Sequence, residues 1–365
     1  MWFNPAGMAV LPKGANFAVA LHVIKPSFKF SNVASSGAFA GAGTGEGNDG
    51  GDWTALPQGY FAMGVGQNLS VGIGFNVPYG LKTDFDAGWR GQLTALKSDL
   101  KTFNINPSAA YRINNWVSLG AGLSYQLIEA ELTNFAGAAG GATLKARDGS
   151  WGWNAGALFQ PVESVRVGVS YRSAIGHKVT GDAKFSVGTA GNGNVAADIK
   201  MPAAASFSVV GAIDKAWDLM GDITWTRWSD FKQLNAMRTS GPLSGALLTS
   251  LPFHWRDTFR YSIGANYKPN SAWKIRMGVA LDQTPTNDVD RTARLPDQDR
   301  TWVAFGAQYK VSKSGTLDFG YAHEFIKDAS VNTPVPGFTT CAAGCLNGKF
   351  SSKADIISIQ YSHVY

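Results

Sequence analysis

The sequence lacks any long apolar run: no stretch approaches the roughly 20 consecutive apolar residues that a membrane-spanning helix needs. A passage through a bilayer would therefore have to use β-strands. Charge is also scarce, since Asp, Glu, Lys and Arg make up 16% of the 365 residues, against roughly 25% in an ordinary soluble domain. The net charge is +6, but the basic residues are scattered along the chain, which argues against a nucleic-acid partner.

Motifs of catalysis and cofactor binding are absent as well. The five histidines show no metal-ligand spacing and no H-E-x-x-H, and no G-x-S-x-G elbow occurs. The glycine-rich GAGTGEG lies in a loop pattern without the strand-to-helix context of a phosphate site. We therefore expect no catalytic residue, no metal and no cofactor, and predict that the protein is not an enzyme.

Only two cysteines are present, Cys341 and Cys345. In an oxidising compartment they would close a small disulfide loop, worth about 2 kcal/mol in the chain-entropy model, whereas a zinc site would need two further ligands. The first residues, MWFNPAGMAVLPKG, lack the basic start and apolar run of a signal peptide. An exported protein would therefore be expected to begin upstream of Met1.

What the chain has in abundance is alternation of period two. In WVSLGAGLSYQL, residues 116–127, the odd positions from Val117 onward are apolar or aromatic, and the even ones from Ser118 to Gln126 are Ser, Gly or Gln. Such alternation predicts a strand with one apolar face. Similar runs predict about fourteen strands, at 16–33, 58–66, 68–77, 101–113, 116–133, 149–160, 164–175, 198–213, 216–228, 253–267, 272–283, 299–311, 315–326 and 350–365.

The connections between these strands alternate in length. Short turns such as Gly66-Gln67 contrast with long loops such as KDASVNTPVPGFTTCAAGCLNGK, which is typical of outer-membrane barrels. A soluble β-sandwich alternates too, but its water-facing side would carry many Lys and Glu, and here that face carries Gly, Ser, Asn and Gln. Aromatic residues lie near strand ends on the apolar face, as at a lipid interface: Tyr125, Tyr171, Trp225, Tyr267, Trp273, Tyr309 and Phe325.

The sequence thus predicts an all-β fold, a transmembrane antiparallel β-barrel. Leu119 and Leu123 should face lipid, while Ser118 and Gln126 should face a lumen. A barrel of about fourteen strands has a bore between the filled lumen of eight strands and the open channel of sixteen, so it would leak solutes unless blocked.

Four segments resemble the FadL family of outer-membrane transporters: NPAGM (4–8), GYFAMGVGQNLSVGIGFNVPYGLKTDF (59–85), GWRGQLTALKSDLKTFNINPSAAYRINNWVSLGAGLSYQ (88–126) and WRDTFRYSIGANY (255–267). The resemblance covers essentially the whole chain. It implies a fourteen-stranded barrel in the bacterial outer membrane with an N-terminal hatch in the lumen. On this basis residues 1–13 are predicted to be the C-terminal remnant of the hatch, with the motif Asn4, Pro5 and Ala6, and 14–365 the barrel; an ordinary Asn-Pro turn is the alternative.

The resemblance also implies that the third strand is kinked inward and opens a lateral gap in the barrel wall. Gly72 and Gly74 remove side chains from the lumen face, and Pro78 cannot donate to a ladder. The residues predicted to form the gap are Gly72, Gly74, Phe75, Asn76, Pro78 and Gly80. The alternative is a strand that ends normally at Pro78.

Two loop segments carry clustered apolar residues, and we predict small helices in these extracellular loops. Phe85, Trp89, Leu93, Leu96 and Leu100 fall on one helical face. The predicted apolar groove consists of Phe85, Trp89, Leu93, Leu96, Leu243, Leu247, Leu248 and Leu251. Exposed apolar faces need a partner, and both alternatives stay open: a groove for an apolar ligand, or a lid in which these residues pack against each other.

Cationic residues at lumen-facing positions could bind the carboxylate of a fatty acid. Parity places eight of them inside: Arg112, Arg166, Arg172, Arg256, Arg260, Lys274, Arg276 and Lys310. Most should be paired, because four acids share the lumen: Asp218, Asp222, Asp282 and Asp318. The densest positive region lies on two adjacent strands, where we predict carboxylate contacts from Arg256, Arg260, Lys274 and Arg276.

Together these features predict passive uptake of hydrophobic molecules, with long-chain fatty acids as the expected ligands. Loops would capture the ligand, the lumen would bind it, and the gap would release it into the bilayer, since each CH₂ moved into water costs about 0.8 kcal/mol. The alternatives are an aromatic-hydrocarbon channel of the same family, a general porin for polar solutes and a purely structural barrel. The other expected partners are outer-membrane lipids and lipopolysaccharide, and the barrel is expected to be a monomer.

Overall fold

A computed structural model describes residues 1–189 and 191–365. These described residues form one antiparallel sheet of 20 strands. In chain order the strands are β1 (Ala15–Asn32), β2 (Thr54–Val65), β3 (Leu69–Asn76), β4 (Gly80–Asp84), β5 (Lys97–Arg112), β6 (Val117–Phe135), β7 (Gly141–Val162), β8 (Val165–Arg172), β9 (Ile175–Phe185), β10 (Gly193–Met201), β11 (Ala204–Ala212), β12 (Trp217–Thr226), β13 (Gln233–Arg238), β14 (Leu247–Pro252), β15 (Thr258–Tyr267), β16 (Trp273–Asp282), β17 (Arg300–Lys310), β18 (Gly315–Ile326), β19 (Ala329–Pro334) and β20 (Cys345–Val364).

Fourteen of these strands close into a ring. The order around the ring is β1, β2, β3, β5, β6, β7, β8, β11, β12, β15, β16, β17, β18 and β20, which returns to β1. A closed ring leaves no strand edge with unpaired backbone groups, which is the condition for a sheet to span a bilayer. The predicted all-β barrel of fourteen strands is confirmed.

The other six strands, β4, β9, β10, β13, β14 and β19, extend the wall beyond the ring on the side of the long loops. The sequence predicted one strand over 198–213, but the structure divides it into β10 and β11. The break falls at Pro202, which has no N–H to donate to a ladder. β8 likewise ends at Arg172, and the chain re-enters the sheet as β9 at Ile175.

Helices in the described ranges are few and short. One α-helix, α1 (Ala38–Ala42), lies in the loop between β1 and β2. Four 3-10 helices cover Pro5–Val10, Gly137–Ala139, Trp228–Asp230 and Cys341–Ala343. Among the described residues, no helix combines the length and the apolar character that a membrane crossing needs.

The two faces of the wall differ as the alternation predicted. Leu119 and Leu123 are 46% and 58% exposed on the outer face, whereas Ser118 and Gln126 are 4% and 1% exposed on the inner face. The polar residues are the buried ones because side chains and the N-terminal segment fill the bore. The barrel therefore has its apolar face on the outside and its polar face on the inside, the reverse of the arrangement in a soluble protein.

Candidate transport site

The N-terminal segment lies inside the barrel against the inner face of the wall. Pro5–Val10 form a 3-10 helix, and Asn4 caps it: its Oδ1 accepts from the Ala6 N–H at 3.0 Å. The Asn4 Nδ2 donates to the carbonyls of Ala157 (3.0 Å) and Val169 (3.1 Å), on β7 and β8. Proline suits the first helical position because its missing N–H would have no partner there. The Asn-Pro-Ala motif thus starts a short helix and fastens it to the wall.

Glycines on the lumen face make room for this segment. A Cβ on Gly120 would lie 2.4 Å from the Ala6 nitrogen, and one on Gly156 would lie 2.3 Å from the Asn4 Oδ1. A Cβ on Gly72, in β3, would lie 2.7 Å from the sulfur of Met1. These contacts account for glycine at lumen positions that a small polar residue could otherwise occupy.

The third strand of the ring is interrupted, and the wall is open beside it. β3 ends at Asn76 and β4 begins at Gly80, so residues 77–79, which include Pro78, leave the ladder. Within the part of the chain that the structure describes, β4 pairs only with β5, and residues 54–58 of β2 face no strand on that side. The opening lies between β2 and β4.

Polar and aromatic groups line this opening. The Tyr60 hydroxyl hydrogen-bonds the Asn76 Oδ1 and lies 3.1 Å from the Gln58 Oε1. A Cβ on Gly74 would lie 3.1 Å from the Tyr60 ring, so glycine leaves space for that ring. Phe75 stacks on Phe103 of β5 with centroids 6.4 Å apart. The structure thus brings the predicted gap residues to one place on the wall.

The first group of loop residues packs into a buried core. Phe85 and Trp89 are 3% and 1% exposed and stack with centroids 4.4 Å apart, while Leu93 and Leu96 pack at the edge. We call this the lid core; its buried members are Phe30, Phe39, Phe85, Trp89, Ala95, Ala293, Ala329, Val331, Leu346 and Phe350. This arrangement matches the lid alternative rather than an open groove.

The helix predicted for this segment is wrong. Residues 86–96 form turns, and β5 begins at Lys97. Gly88 has φ of +86°, in the left-handed region that ends helices. The chain also folds tightly round the Trp89 indole, since a Cβ on Gly91 would lie 2.2 Å from its ring. The apolar residues of this segment are spaced as they are because they pack around the Trp89 indole, and not because they form one face of a helix.

A buried arginine fastens the loop between β16 and β17 to the lid. Arg294 donates to the carbonyls of Lys97 (3.1 Å) and Thr133 (3.2 Å) and to the Ser98 Oγ (3.1 Å). Burial lowers the pKa of Arg294 to about 10, so it stays charged at neutral pH. This loop, which the sequence did not single out, closes part of the extracellular mouth.

The second group of loop residues lies on a separate hairpin, formed by β13 and β14. The predicted helix is wrong here too, because Gly241 and Gly245 have φ of +75° and +87° and form turns. Leu243 and Leu247 are about half exposed, at 50% and 53%. Leu248 and Leu251 are partly buried in β14. In the described parts of the chain the structure does not bring these four leucines to the lid core.

A second apolar cluster faces inward below the lid, and the sequence did not predict it. We call it the inward cluster; Ile128, Ala146, Ile175, Val179, Ile199 and Met201 are buried in it, with Tyr79, Leu100, Ala197, Phe231 and Leu234 packed against them. Aromatic rings continue it across the mouth: Tyr79 contacts Trp228 at 5.9 Å between centroids, and Trp228 contacts Trp255 at 5.1 Å. The lining therefore runs from the opening in the wall to the opposite side of the barrel.

The four cations predicted to hold a carboxylate do not converge. Arg276 pairs with Asp318 at 2.7 Å, and Arg256 lies 3.8 Å from Asp299 near the extracellular end. Arg276 is opposite Asn266 in the β15–β16 register, six residues from Arg260, which corresponds to about 20 Å along the strand. Lys274 is further still toward the short turns. Arg260, Lys274 and Arg276 occupy lumen-facing positions of β15 and β16 but are separated by register, whereas Arg256 lies before β15 with its side chain 61% exposed.

Arg172, at the end of β8, differs from these cations. It is 9% exposed, its guanidinium lies 3.3 Å from the centroid of the Trp2 ring, and its Nη1 donates to the Ser124 Oγ at 3.0 Å. Its Nη2 donates to the Trp2 carbonyl. No carboxylate in residues 1–189 and 191–365 lies within 4.0 Å of it. The sequence placed Arg172 in the lumen, but only the fold shows that no acid reaches it.

The cysteines lie in the loop that enters β20. Cys341 and Cys345 are joined by a disulfide, with Cα atoms 5.0 Å apart. The described residues contain no cluster of His, Cys, Asp and Glu that could hold a metal ion.

Comparison with known proteins identifies relatives along the full length. A family model described as outer membrane protein transport protein (OMPP1/FadL/TodX) matches residues 1–365. A protein of Neisseria meningitidis serogroup B is 29% identical, over 100% of this chain and 89% of its own. The long-chain fatty acid transport protein of Escherichia coli O6:H1 is 27% identical, over 73% of this chain and 69% of its own.

Solved structures agree on the fold. The crystal structure of a Pseudomonas aeruginosa FadL homologue superposes with a TM-score of 0.90 at 24% identity, covering 99% of this chain and 92% of that one. The Pseudomonas putida toluene transporter TodX superposes with a TM-score of 0.74 at 18% identity, with the same coverage.

Proposed function

The chain belongs to the outer membrane protein transport family OMPP1/FadL/TodX, and from this membership we propose that it takes up long-chain fatty acids. The family places it in the outer membrane as a β-barrel transporter of hydrophobic compounds. The name of the Escherichia coli relative supports a fatty acid as the ligand. The family is one of transporters rather than of enzymes.

The observation that carries the proposal is Arg172. A buried guanidinium without a counter-ion is costly, and among the described residues its hydrogen-bond partners are the Ser124 hydroxyl and the Trp2 carbonyl. The carboxylate of a fatty acid would supply the missing charge, with charge-assisted hydrogen bonds that Arg forms well. A ligand without a charged group would leave the Arg172 guanidinium without a counter-ion.

The route that we propose begins at the lid and ends at the opening in the wall. The acyl chain passes the lid core, lies along the inward cluster and leaves between β2 and β4, past Tyr60 and Asn76. Its carboxylate binds Arg172, beside the N-terminal segment. Residues 1–13 act as part of the stopper below this position, because Asn4 fastens them to β7 and β8. One barrel contains every element of this route, so a monomer suffices.

A second candidate ligand is a monoaromatic hydrocarbon. The rings of Tyr79, Trp228 and Trp255 contact each other in sequence, and Phe231 stacks on Trp255 with centroids 4.7 Å apart. Such a surface favours flat aromatic ligands. The toluene transporter TodX shares the fold, which is compatible with this alternative.

The test offers labelled oleate, oleyl alcohol and toluene to the detergent-purified protein and measures retention by equilibrium dialysis. We expect retention of oleate, and Arg172→Gln should weaken it by about tenfold or more, since a hydrogen bond to a charged group contributes about 1.5–3 kcal/mol. Oleyl alcohol, which has the same chain without the charge, should be affected little.

Arg166→Gln is the matched control. Arg166 lies six residues earlier on β8 and also faces the lumen, so its removal changes the lumen charge equally but should leave oleate retention unchanged. Retention of toluene in preference to oleate would contradict the proposal. So would unchanged oleate binding by Arg172→Gln.

A further inference from the structure

The outer face of β1 and β20 changes character toward its extracellular end. On β20, Ile357 and Ile359 are exposed at 54% and 43% and face lipid. Further along the same face, Lys353, Ser351 and Lys349 are exposed, while the intervening Phe350, Ser352 and Ala354 are buried. Alternation therefore continues past the apolar band, with lysine in place of isoleucine.

Strand register gathers three lysines on this face. In the β1–β20 ladder, Lys29 is opposite Ser351, while Lys349 is opposite Ser31 and Lys353 is opposite Ser27. Lys29 is thus the diagonal neighbour of both β20 lysines, and diagonal neighbours in an antiparallel pair are about 7–8 Å apart. We call Lys29, Lys349 and Lys353 the lysine triad.

The acids near the triad are engaged by other groups. Asp355 is hydrogen-bonded by the Tyr321 hydroxyl (2.6 Å) and His323 Nδ1 (2.7 Å). Asp49 accepts from the Ser27 hydroxyl (2.6 Å) and the Phe28 N–H (2.7 Å). Within the described residues, no carboxylate lies within 4.0 Å of a triad ammonium group. The triad therefore makes no ion pair within the described residues, although the Asp355 carboxylate acts on Lys353 at longer range.

The triad lies at the depth of lipid headgroups. Trp53, Tyr321 and Phe325 are 56%, 45% and 57% exposed on the outer face nearby, and such aromatic girdles mark the edge of the hydrocarbon layer. Lys353 is two residues beyond Asp355, which is opposite Lys25 in the ladder. This step corresponds to about 7 Å along the strand. Lys353 therefore projects just outside the hydrocarbon on the side of the long loops. Lys29, opposite Ser351, and Lys349 follow on the same face, about 14 Å and about 20 Å along the strand from Asp355.

We propose that the lysine triad binds the phosphate groups of lipopolysaccharide. Lipopolysaccharide forms the outer leaflet of the bacterial outer membrane, and its lipid A phosphates lie where the acyl chains end. Lysine binds phosphate as a point charge, and basic residues next to a membrane favour anionic lipids. The binding is independent of uptake, because the triad faces away from the lumen.

Another part of the extracellular wall, on β5, β7 and β9, provides a matched control. Lys101, Lys145 and Lys184 are also exposed there, but each pairs with an acid: Lys101 with Asp99 at 3.1 Å, Lys145 with Glu131 at 3.5 Å and Lys184 with Asp182 at 3.3 Å. Charge is thus compensated within the protein at these positions, and we expect no comparable phosphate binding.

The experiment measures retention of purified lipopolysaccharide by the full, detergent-purified chain in native mass spectrometry. The variant Lys29→Gln/Lys349→Gln/Lys353→Gln should bind lipopolysaccharide at least ~10-fold more weakly than the wild type, and Lys349→Gln alone should be intermediate. The control Lys101→Gln/Lys145→Gln/Lys184→Gln should bind like the wild type. Lipopolysaccharide stripped of its phosphates should bind wild type and triad variant equally weakly.

Four results would overturn the proposal. These are wild-type retention by the triad variant, an equal loss in the control, tight binding of the dephosphorylated lipid, and equally tight binding of phosphatidylglycerol. Heat-modifiable mobility in gel electrophoresis reports that each variant is folded. Oleate retention, measured on the same samples, should not change, so failure here is distinct from failure of the proposed uptake function.

Discussion

Asn4 uses its whole side chain to position the N-terminal segment. Its Oδ1 caps the Pro5–Val10 helix, and its Nδ2 donates to carbonyls of two different strands. Ala157 and Val169 are partners in the β7–β8 ladder, so the Asn4 amide can donate to both carbonyls only when β7 and β8 pair in this register. The side chain therefore fixes where the segment lies in the bore, which no local sequence rule could specify.

Replacing Gly120 by alanine should displace this segment. The new methyl group would lie 2.4 Å from the Ala6 nitrogen and 2.5 Å from the Pro5 carbonyl carbon, so backbone must move. We expect a several-fold rise in ion conductance in planar bilayers, because a barrel of this size leaks when its bore is not blocked. Gly221→Ala is the control, since the atom nearest to its added Cβ is 3.8 Å away. Conductance at the wild-type level in Gly120→Ala would show that the segment does not seal the bore.

At the scale of elements, two short non-strand segments connect the β9–β10 hairpin to the ring. The chain leaves the sheet at residues 173–174 and returns to the ring after Pro202. The inner side of the hairpin buries Ile175, Val179 and Ile199 in the inward cluster. The sequence joined residues 198–201 of β10 to the ring strand β11, because alternation continues across a break that tertiary packing imposes, and it left residues 176–185 of β9 in a predicted loop.

The hairpin should loosen on acidification through His177. His177 is 1% exposed, with Nδ1 3.0 Å from the Asp148 carboxylate and Nε2 3.1 Å from the Gln126 Oε1. Burial lowers its pKa below the ordinary 6.5, and the hydrogen bond and charge of Asp148 do not offset this. The unfolded hairpin then binds more protons than the folded one, so stability is full above pH 6.5 and falls as pH drops through the lower folded pKa.

Hydrogen exchange of β9 and β10, corrected for intrinsic rates, measures this effect. Protection should decrease between pH 7 and pH 5 in the wild type, and His177→Gln should remove the dependence. His254→Asn is the control: its side chain is 63% exposed, and asparagine tolerates the positive φ of 43° at that position. A pH dependence that persists in His177→Gln would assign it to other groups.

The opening between β2 and β4 is an element that one substitution should close. Gly80 lies at its edge, and the atom nearest to an added Cβ is 3.7 Å away, so a side chain can start there without a backbone clash. An indole there should lower uptake of labelled oleate by cells several-fold while leaving oleate retention by the purified protein intact. Gly221→Trp places the same indole on the lipid face of the distant β12. Undiminished uptake by Gly80→Trp would exclude this exit.

At the scale of the whole molecule, sidedness is the property on which stability depends. Ile263 is 67% exposed on the outer face, whereas its neighbour Ser262 faces the lumen opposite Ala280. Arginine on the lipid face near the bilayer midplane costs about 2–4 kcal/mol in barrels of this kind. Ile263→Arg should therefore lower the free energy of unfolding by about that amount, measured by urea titration in lipid vesicles.

Ser262→Arg is the matched substitution one residue away. It places the same charge in the polar lumen, where the cost should be much smaller. Equal destabilisation by both variants would contradict the assignment of faces, because it would mean that neither side of the sheet meets hydrocarbon.

The sequence by itself determined the barrel fold and which face of the sheet lies on the outside. Alternation of period two sets which face of each strand is apolar, as at Leu119 and Ser118, and alternating loop lengths set the two ends of the barrel. Both signals are local, since neighbouring residues carry them. Local patterns failed in the loops for the same reason. The spacing of Phe85, Trp89 and Leu93 predicted a helix, but these residues pack around the Trp89 indole in a series of turns.

Only the tertiary structure decided how the site is assembled. Register places Arg276 beside Asp318 and leaves Arg172 with no acid within 4.0 Å in the described part of the chain. It also brings Lys29 close to Lys349 and Lys353 from the opposite end of the chain. Distances across a barrel depend on which residues the ladder pairs, and that pairing is fixed by closure of all fourteen strands at once. The sequence pattern predicts on which face of the sheet a charged residue lies, but it does not predict which residue pairs with it.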